Sequence, residues 1–195
     1  MANNNLTPRY FGDWHINVQT DKTNPGIIHE LRNLFFKLDN NSSPLQYKVL
    51  AHIGNQSLGS KIHSENNHAV LAEQYNEADD TNRIVLIVFH GDKSIVSIDR
   101  VLESYTHDCK EYDIHIEPNT EFPDEVRKDY EIIQPLFNNI LVEPFIYLGN
   151  QKCLNGIKYL FVAEVTTLEP ITKKEVALVT INAINKSYEI TNILF

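Results

Sequence analysis

The chain repeats its own pattern once, and this repetition constrains the fold more than any other feature of the sequence. Trp14–Gln19 aligns with Tyr112–Glu117, and in both segments large apolar residues alternate with polar ones. Further along, His52–Gln56 aligns with Tyr147–Gln151, and both segments end in Gly-Asn-Gln. A duplication predicts two units of similar topology, because each copy carries the same apolar positions to bury.

Two later blocks keep the same order. His68–Glu73 aligns with Tyr159–Glu164, and both segments end in Ala-Glu. The apolar segment Ile84–Phe89 aligns with Val176–Ile181. The common order of the four matches indicates a tandem duplication, since a single match of this kind arises easily from composition alone.

The duplication divides the 195 residues into two predicted domains, 10–104 and 110–195. Each domain begins with a strand, continues with an amphipathic helix opened by a proline, and ends with four extended segments. We expect Pro135 to kink or end the second helix. The apolar positions of the two helices recur at helical spacing: Ile27, Leu31, Leu34 and Leu38 in the first, and Val126, Tyr130, Ile133, Phe137 and Ile140 in the second.

These patterns predict an α+β fold of two tandem units, each with one helix packed on a four- to five-stranded antiparallel sheet. Asn155-Gly156 is the strongest predicted hairpin turn, because both residue types tolerate positive φ. His90–Lys93 and Asn182–Asn185 are the other predicted hairpin turns.

Charge and hydropathy exclude several classes of partner. Asp and Glu exceed Lys and Arg by 26 to 17, giving a net charge of −9, which disfavours nucleic acid and anionic membranes as partners. The longest apolar run, Ile84–Phe89, is too short to cross a membrane. The first residues do not resemble a secretory signal, so we expect a cytoplasmic protein, or one exported without a cleavable signal peptide.

The two cysteines, Cys109 and Cys153, match neither a disulfide framework nor the spacing of zinc ligands. We therefore expect the fold to depend on packing alone. Cys153 is expected to behave as a small apolar residue rather than as a nucleophile.

The predicted order of elements resembles the cystatin (cystatin/monellin) fold, and the hairpin Lys152–Val162 adds a local resemblance. Cystatins carry Gln-x-Val-x-Gly in their first hairpin; Gly156 matches that glycine, while Lys152 stands in place of Gln and Leu154 in place of Val. Tyr159 matches a tyrosine of the following strand. The Pro-Trp pair of the second cystatin hairpin is absent from both domains.

The cystatin-like resemblance implies a protein-binding module that uses hairpin tips, with inhibition of cysteine peptidases as its most concrete form. Carried over by position, the partner-binding residues are Lys152, Cys153, Leu154, Asn155, Gly156, Asn182 and Asn185. The simpler interpretation of Asn155-Gly156 is a good turn without any binding role.

The alternative hypothesis is an interaction protein, of the effector or immunity type, without inhibitory activity. It would present an acidic surface that includes Glu77, Asp79 and Asp80. A solvated loop explains the same three carboxylates more simply.

We predict no enzymatic activity, no metal and no cofactor. The eight histidines include no pair at metal-ligand spacing on one predicted face, so we expect solvated or singly hydrogen-bonded rings. Glu73 and Glu164 occupy equivalent positions in different predicted domains, which does not suit paired acid-base catalysis. A small-molecule pocket between helix and sheet would need inward polar residues, which the predicted stripes do not supply.

Overall fold

The structure is a computed structural model that describes residues 9–11, 13–39, 45–57, 66–91, 94–103, 109–116, 123–154, 156–168, 172–182 and 186–192. The chain divides into two compact units, with the boundary between Glu103 and Ser104. Each unit contains one sheet, and every pair of hydrogen-bonded neighbouring strands is antiparallel.

The first unit carries a six-stranded sheet in which the strands follow one another in chain order. One helix interrupts the succession of strands between the second and the third. The elements are β1 Arg9–Phe11, β2 Trp14–Gln19, α1 Pro25–Asp39, β3 Leu45–Gln56, β4 Asn67–Asn76, β5 Thr81–His90 and β6 Ile95–Glu103.

The second unit carries a five-stranded sheet, again in chain order. A short 3₁₀ helix, Gln134–Leu136, follows its α-helix directly. The elements are β7 Cys109–Ile114, α2 Asp124–Ile133, β8 Ile140–Cys153, β9 Gly156–Thr167, β10 Lys173–Asn182 and β11 Ser187–Asn192.

Helix α1 begins at Pro25, where the sequence predicts a helix start. The backbone N–H of Ile27 donates to Asn24 Oδ1 at 3.3 Å, so Asn24 caps the first turn. The helix buries Ile28 and Leu31 in a core that includes six residues of the sheet: Val49, Val70, Ala72, Val85, Ile87 and Phe89. These apolar contacts, rather than helix propensity, supply most of the stability of such a helix.

Helix α2 ends at Ile133, two residues before Pro135, which confirms the predicted effect of that proline. Its Val126 and Ile133 belong to the core of the second unit, together with Phe137 and Phe161. The predicted helical stripe extends too far, because Ile140 is already the first residue of β8.

The predicted α+β fold, with one helix on a four- to five-stranded sheet in each of two units, is wrong. Strands make up 65% of the described residues and helices 17%, and one of the two helices is short. The molecule is built on two antiparallel sheets of six and five strands. The first sheet is larger than predicted because an additional strand, Arg9–Phe11, pairs with Trp14–Ile16.

The central strands are buried on both faces, which the predicted alternation of buried and exposed residues does not allow for. Ala69–Ala72 of β4 and Ile84–Phe89 of β5 are buried without interruption. In the second sheet Tyr159–Ala163 of β9 and Val176–Asn182 of β10 are buried in the same way. Continuous apolar runs of this length are typical of strands covered on both sides.

Irregularities of pairing occur at matching places in the two units. Strand β3 has register shifts at Val49/Ala51 and at His52/Gly54 in its pairing with β4. Strand β8 has register shifts at Pro144/Ile146 and at Tyr147/Gly149 in its pairing with β9. In the alignment of the two units, the residues that flank each shift in β8 match the residues that flank the corresponding shift in β3.

A glycine follows the second bulge in each unit, at a point where another strand passes close by. A Cβ at Gly54 would lie 2.4 Å from the carbonyl oxygen of His15, and a Cβ at Gly149 would lie 2.2 Å from that of Asp113. Gly149 also has φ of 147°, which side-chain-bearing residues rarely adopt. Both positions therefore require glycine.

Neither described helix combines the length and the hydrophobicity needed to cross a lipid bilayer.

Candidate functional site

The predicted partner-binding residues that the structure describes lie at one end of the second sheet, which we call the hairpin end. There β8 turns into β9, and β10 turns into β11. Cys153 is paired with Gly156 across the first turn, and Asn182 is paired with Ser187 across the second. Because Asn182 is also paired with Lys158, the two turns lie at the same end of neighbouring strands.

The side chains at the hairpin end differ in accessibility. Leu154 is 73% exposed and Lys152 is exposed, whereas Cys153 is half-buried. Asn182 is only 6% exposed, so its side chain belongs to the interior of the sheet rather than to the surface of the turn. Asn155 and Asn185 lie outside the described residues.

Gly156 does not lie in the predicted turn position. It is the first residue of β9 and is paired with Cys153 of β8. Gly156 has φ of 136°, so glycine is needed at this place, although as a strand residue rather than as a turn residue.

Cys153 is disulfide-bonded, so the expectation of a fold without disulfides is wrong. The chain has one other cysteine, Cys109, and its Cα is the partner of Cys153 in the pairing of β7 with β8. The bond therefore links the beginning of β7 to the end of β8. The spacing of the two cysteines does not reveal this contact, because it depends on the strand register.

A second group of functional side chains, which the sequence interpretation missed, lies on the first sheet. His52 Nε2 and His68 Nδ1 are 3.3 Å apart on the adjacent strands β3 and β4. The His68 ring stacks on Phe89 of β5, with ring centroids 5.2 Å apart. These histidines are far apart in sequence, and only the bulged register of β3 and β4 brings them together.

His52 is 5% exposed and has a single ring-nitrogen contact, to His68, so it is a singly hydrogen-bonded ring rather than a solvated one. Its Nδ1 is buried and has no hydrogen-bond partner among the described residues. Burial, together with the neighbouring rings of His68 and His15, lowers the pKa of His52 to about 3. The pKa of His68 is also lowered, by burial and by His90. Both rings are therefore neutral at pH 7.

This burial predicts that acid destabilises the protein. The folded pKa of His52 lies below its unfolded value of 6.5, so the unfolded chain takes up the proton first as the pH falls. From pH 7.5 to pH 5 we expect His52 to reduce the free energy of unfolding by about 2 kcal/mol. Urea denaturation at both pH values measures the loss.

The matched variants for this prediction are His52→Leu and His29→Gln. His29 is exposed on α1, so its substitution is the surface control for the buried His52. His52→Leu removes the titrating group and should reduce the loss between pH 7.5 and pH 5, although it lowers stability at both values. Equal pH dependence in the wild type and in His52→Leu would contradict the assignment to His52.

Polar side chains do point into the first unit, contrary to the sequence-based expectation. Gln74 is buried and donates to Tyr47 Oη at 2.9 Å. Gln56 is also buried, and its Oε1 accepts from Asn67 Nδ2 at 2.9 Å. Among the residues that the structure describes, no group of three or more His, Cys, Asp or Glu could hold a metal ion.

The acidic residues considered for the alternative function make contacts with neighbouring side chains of the first unit. Asp79 and Asp80 lie in the turn between β4 and β5, where Asp79 forms an ion pair with Arg83 at 3.8 Å. Tyr75 Oη donates to Asp80 Oδ1 at 3.1 Å, and Gln46 Nε2 donates to Glu77 Oε1. These contacts agree with a structured surface turn and do not favour a dedicated acidic binding face.

The chain was compared with protein-family models, with curated proteins and with solved structures, and it matches none of them.

Proposed function

We propose that this chain is a non-enzymatic protein-binding module that contacts its partner through the hairpin end, with inhibition of a papain-like peptidase as the most concrete form. The observation that carries the proposal is the position of the two turns, which lie side by side at one end of the second sheet. Two adjacent turns on a sheet form a narrow edge of the kind that can enter a cleft.

The exposure of Leu154 supports this role. A leucine that is 73% exposed at a turn has little apolar contact within its own chain and can bury that surface against a partner. Lys152, exposed two residues earlier, adds a positive charge beside it in a chain whose net charge is −9. A partner pocket that is apolar with an acidic rim would suit both residues.

The disulfide supports the same role because it reduces the conformational entropy that the turn loses when a partner binds. Cys153 directly precedes Leu154, so the bond to β7 restricts the strand that carries the turn. A turn that is already restrained loses less conformational freedom when a partner binds, which increases affinity for a given contact area.

The disulfide also bears on where the protein works. Such bonds persist in oxidising compartments and are rare in the cytoplasm of most organisms. Of the two localisations compatible with the sequence, we therefore propose the exported one. Alkylation of free thiols at cell lysis, followed by mass spectrometry, should find Cys153 unmodified; complete alkylation would contradict export.

The duplication stays a proposal, and one structural argument supports it. Bulges and a close-approach glycine occur at aligned positions of β3 and β8, which independent sequences would not be expected to share. The hairpin departs from the cystatin pattern at Lys152 and Leu154, and the Pro-Trp pair is missing, so we propose that the contact surface differs from that of cystatins.

The test measures residual activity of papain-like peptidases and carboxypeptidases with excess wild-type chain. We expect at least one peptidase to be inhibited, and Leu154→Asp to weaken that inhibition about tenfold, equivalent to about 1.4 kcal/mol. Leu168→Asp is the matched control, because Leu168 is 51% exposed at the opposite end of the same hairpin.

Full activity of every peptidase would exclude the inhibitory form of the proposal. Inhibition that Leu154→Asp and Leu168→Asp weaken equally would exclude the hairpin end as the contact surface. Slow cleavage of the chain at its own turn would show a substrate rather than an inhibitor, and gel electrophoresis of the same mixtures detects it.

A further inference from the structure

A cavity of about 430 Å³ lies between α1 and the first sheet. Leu31 and Leu34 of α1 and Phe89 of β5 form much of its apolar wall, and His52 and His68 line it from the strands. This volume falls in the range of small-molecule sites, which combine an apolar lining with a few placed polar groups. The cavity is in the other unit from the hairpin end and does not depend on the function proposed there.

The two histidines provide a polar group that can both donate and accept. A neutral imidazole has one N–H and one lone pair, so one of the two facing nitrogens, His52 Nε2 and His68 Nδ1, carries the proton. If His52 donates, its Nδ1 becomes an acceptor; if His68 donates, His52 Nδ1 becomes a donor. The pair can therefore adapt its free nitrogens to the ligand.

One nitrogen of the histidine pair lacks a hydrogen-bond partner within the part of the protein that the structure describes. His52 Nδ1 is buried without a hydrogen-bond partner among the described residues. Leaving a buried polar atom unpaired costs free energy that a hydrogen-bonding ligand would recover. His52 is one of the side chains that line the cavity, together with the polar side chains of Glu30 and Asn33.

The electrostatics of the cavity favour an uncharged ligand. The low pKa of His52 keeps its ring neutral, so it offers no positive charge to a carboxylate or a phosphate. Glu30 of α1 lines the same cavity and disfavours an anion further. A cation would gain from Glu30 but would have to lose its hydration against leucine and phenylalanine side chains.

We propose that the cavity between α1 and the first sheet binds an uncharged, largely apolar small molecule, whose hydroxyl or amide group hydrogen-bonds to the His52–His68 pair. A hydroxyl or amide suits the pair because it donates and accepts, and so it fits either tautomer. The apolar body of the ligand lies against Leu31, Leu34 and Phe89.

The test uses 2-naphthol as the probe on the full-length oxidised chain at pH 7.5, with calorimetry for affinity and ¹⁵N spectra of the histidine rings for location. Naphthalene lacks the hydroxyl and 2-naphthoate is anionic, so they are the matched comparisons. We expect 2-naphthol to bind about tenfold more tightly than either, and to shift the ring nitrogens of His52 and His68.

Three variants test the location. Leu34→Trp fills the cavity and should abolish binding of 2-naphthol, while His68→Gln should reduce its affinity to that of naphthalene. His29→Gln alters an exposed histidine of α1 outside the cavity and should leave the affinity unchanged. Circular dichroism shows whether each variant is folded. If a variant is unfolded, the ring-nitrogen shifts of the wild type still test whether 2-naphthol binds beside His52 and His68.

Absence of binding of 2-naphthol would overturn the proposal, as would binding that leaves the ring nitrogens of His52 and His68 unshifted. Tighter binding of 2-naphthoate would overturn the assignment of an uncharged ligand. Displacement of 2-naphthol by Zn²⁺, with the metal broadening both ring signals, would show that the pair is a metal site instead.

Discussion

Removal of the disulfide is expected to reduce the free energy of unfolding by about 4 kcal/mol. The bond connects Cys109 to Cys153 and so closes a long loop that contains α2 and all of β8. In the chain-entropy model, opening a loop of this length gives the unfolded state that amount of additional freedom. Denaturant unfolding of the wild type and of a Cys109→Ser/Cys153→Ser variant measures the difference.

Reduction of the wild type with dithiothreitol should reproduce the effect of the double substitution, and the reductant should leave the variant unchanged. A thiol titration of the oxidised, denatured wild type should find no free thiol. Two free thiols in that titration, or equal stability of the wild type and the variant, would contradict the bond.

Substitution of Gly149 by alanine is expected to cost about 3 kcal/mol. The new Cβ would lie 2.2 Å from the carbonyl oxygen of Asp113 and 2.8 Å from Ile114 Cα, so β7 and β8 would have to separate. The φ of 147° adds backbone strain, which glycine alone avoids. Amide hydrogen exchange should then be faster in β7, because its pairing with β8 is weakened.

Gly54→Ala is the comparison within the same chain. The alanine Cβ would lie 2.4 Å from the carbonyl oxygen of His15, so overpacking again opposes the substitution. Since Gly54 carries no positive φ of this kind, we expect a smaller cost of about 2 kcal/mol. A greater loss at Gly54 than at Gly149, or losses below measurable size at both, would contradict this account.

Much of the local structure could be predicted from the sequence, because it depends on neighbouring residues. Helix α1 begins at Pro25 and α2 ends before Pro135, as backbone sterics require. Strand β2 occupies the residues expected from the alternation of Trp14, Ile16 and Val18, and all three are buried. The positions of the helices and of most strands follow from such patterns.

The fold class was wrong for a reason that no local pattern shows. Alternation predicts which residues face one side of a sheet, but it does not show whether the other side is covered as well. Ile84–Phe89 is compatible with a strand exposed on one face and with a strand buried on both, and the structure has the second.

The candidate sites depend on the register between paired strands, which the sequence pattern does not reveal either. The bulges of β3 leave Ala51, His52, Ile53 and Gly54 all buried, so the inward residues do not alternate there. A shift of one residue exchanges the two faces of a strand, and the contact of His52 with His68 depends on that choice. The pairing of Cys109 with Cys153 depends on the register of β7 and β8 in the same way.

The burial of Trp14 has a practical consequence for experiments on this chain. It is the only tryptophan, it is fully buried, and it lies in β2 of the first unit. Its fluorescence therefore comes from one half of the molecule alone and should shift to longer wavelength when that half opens. Emission recorded beside circular dichroism would show whether the two halves melt in one step or in two.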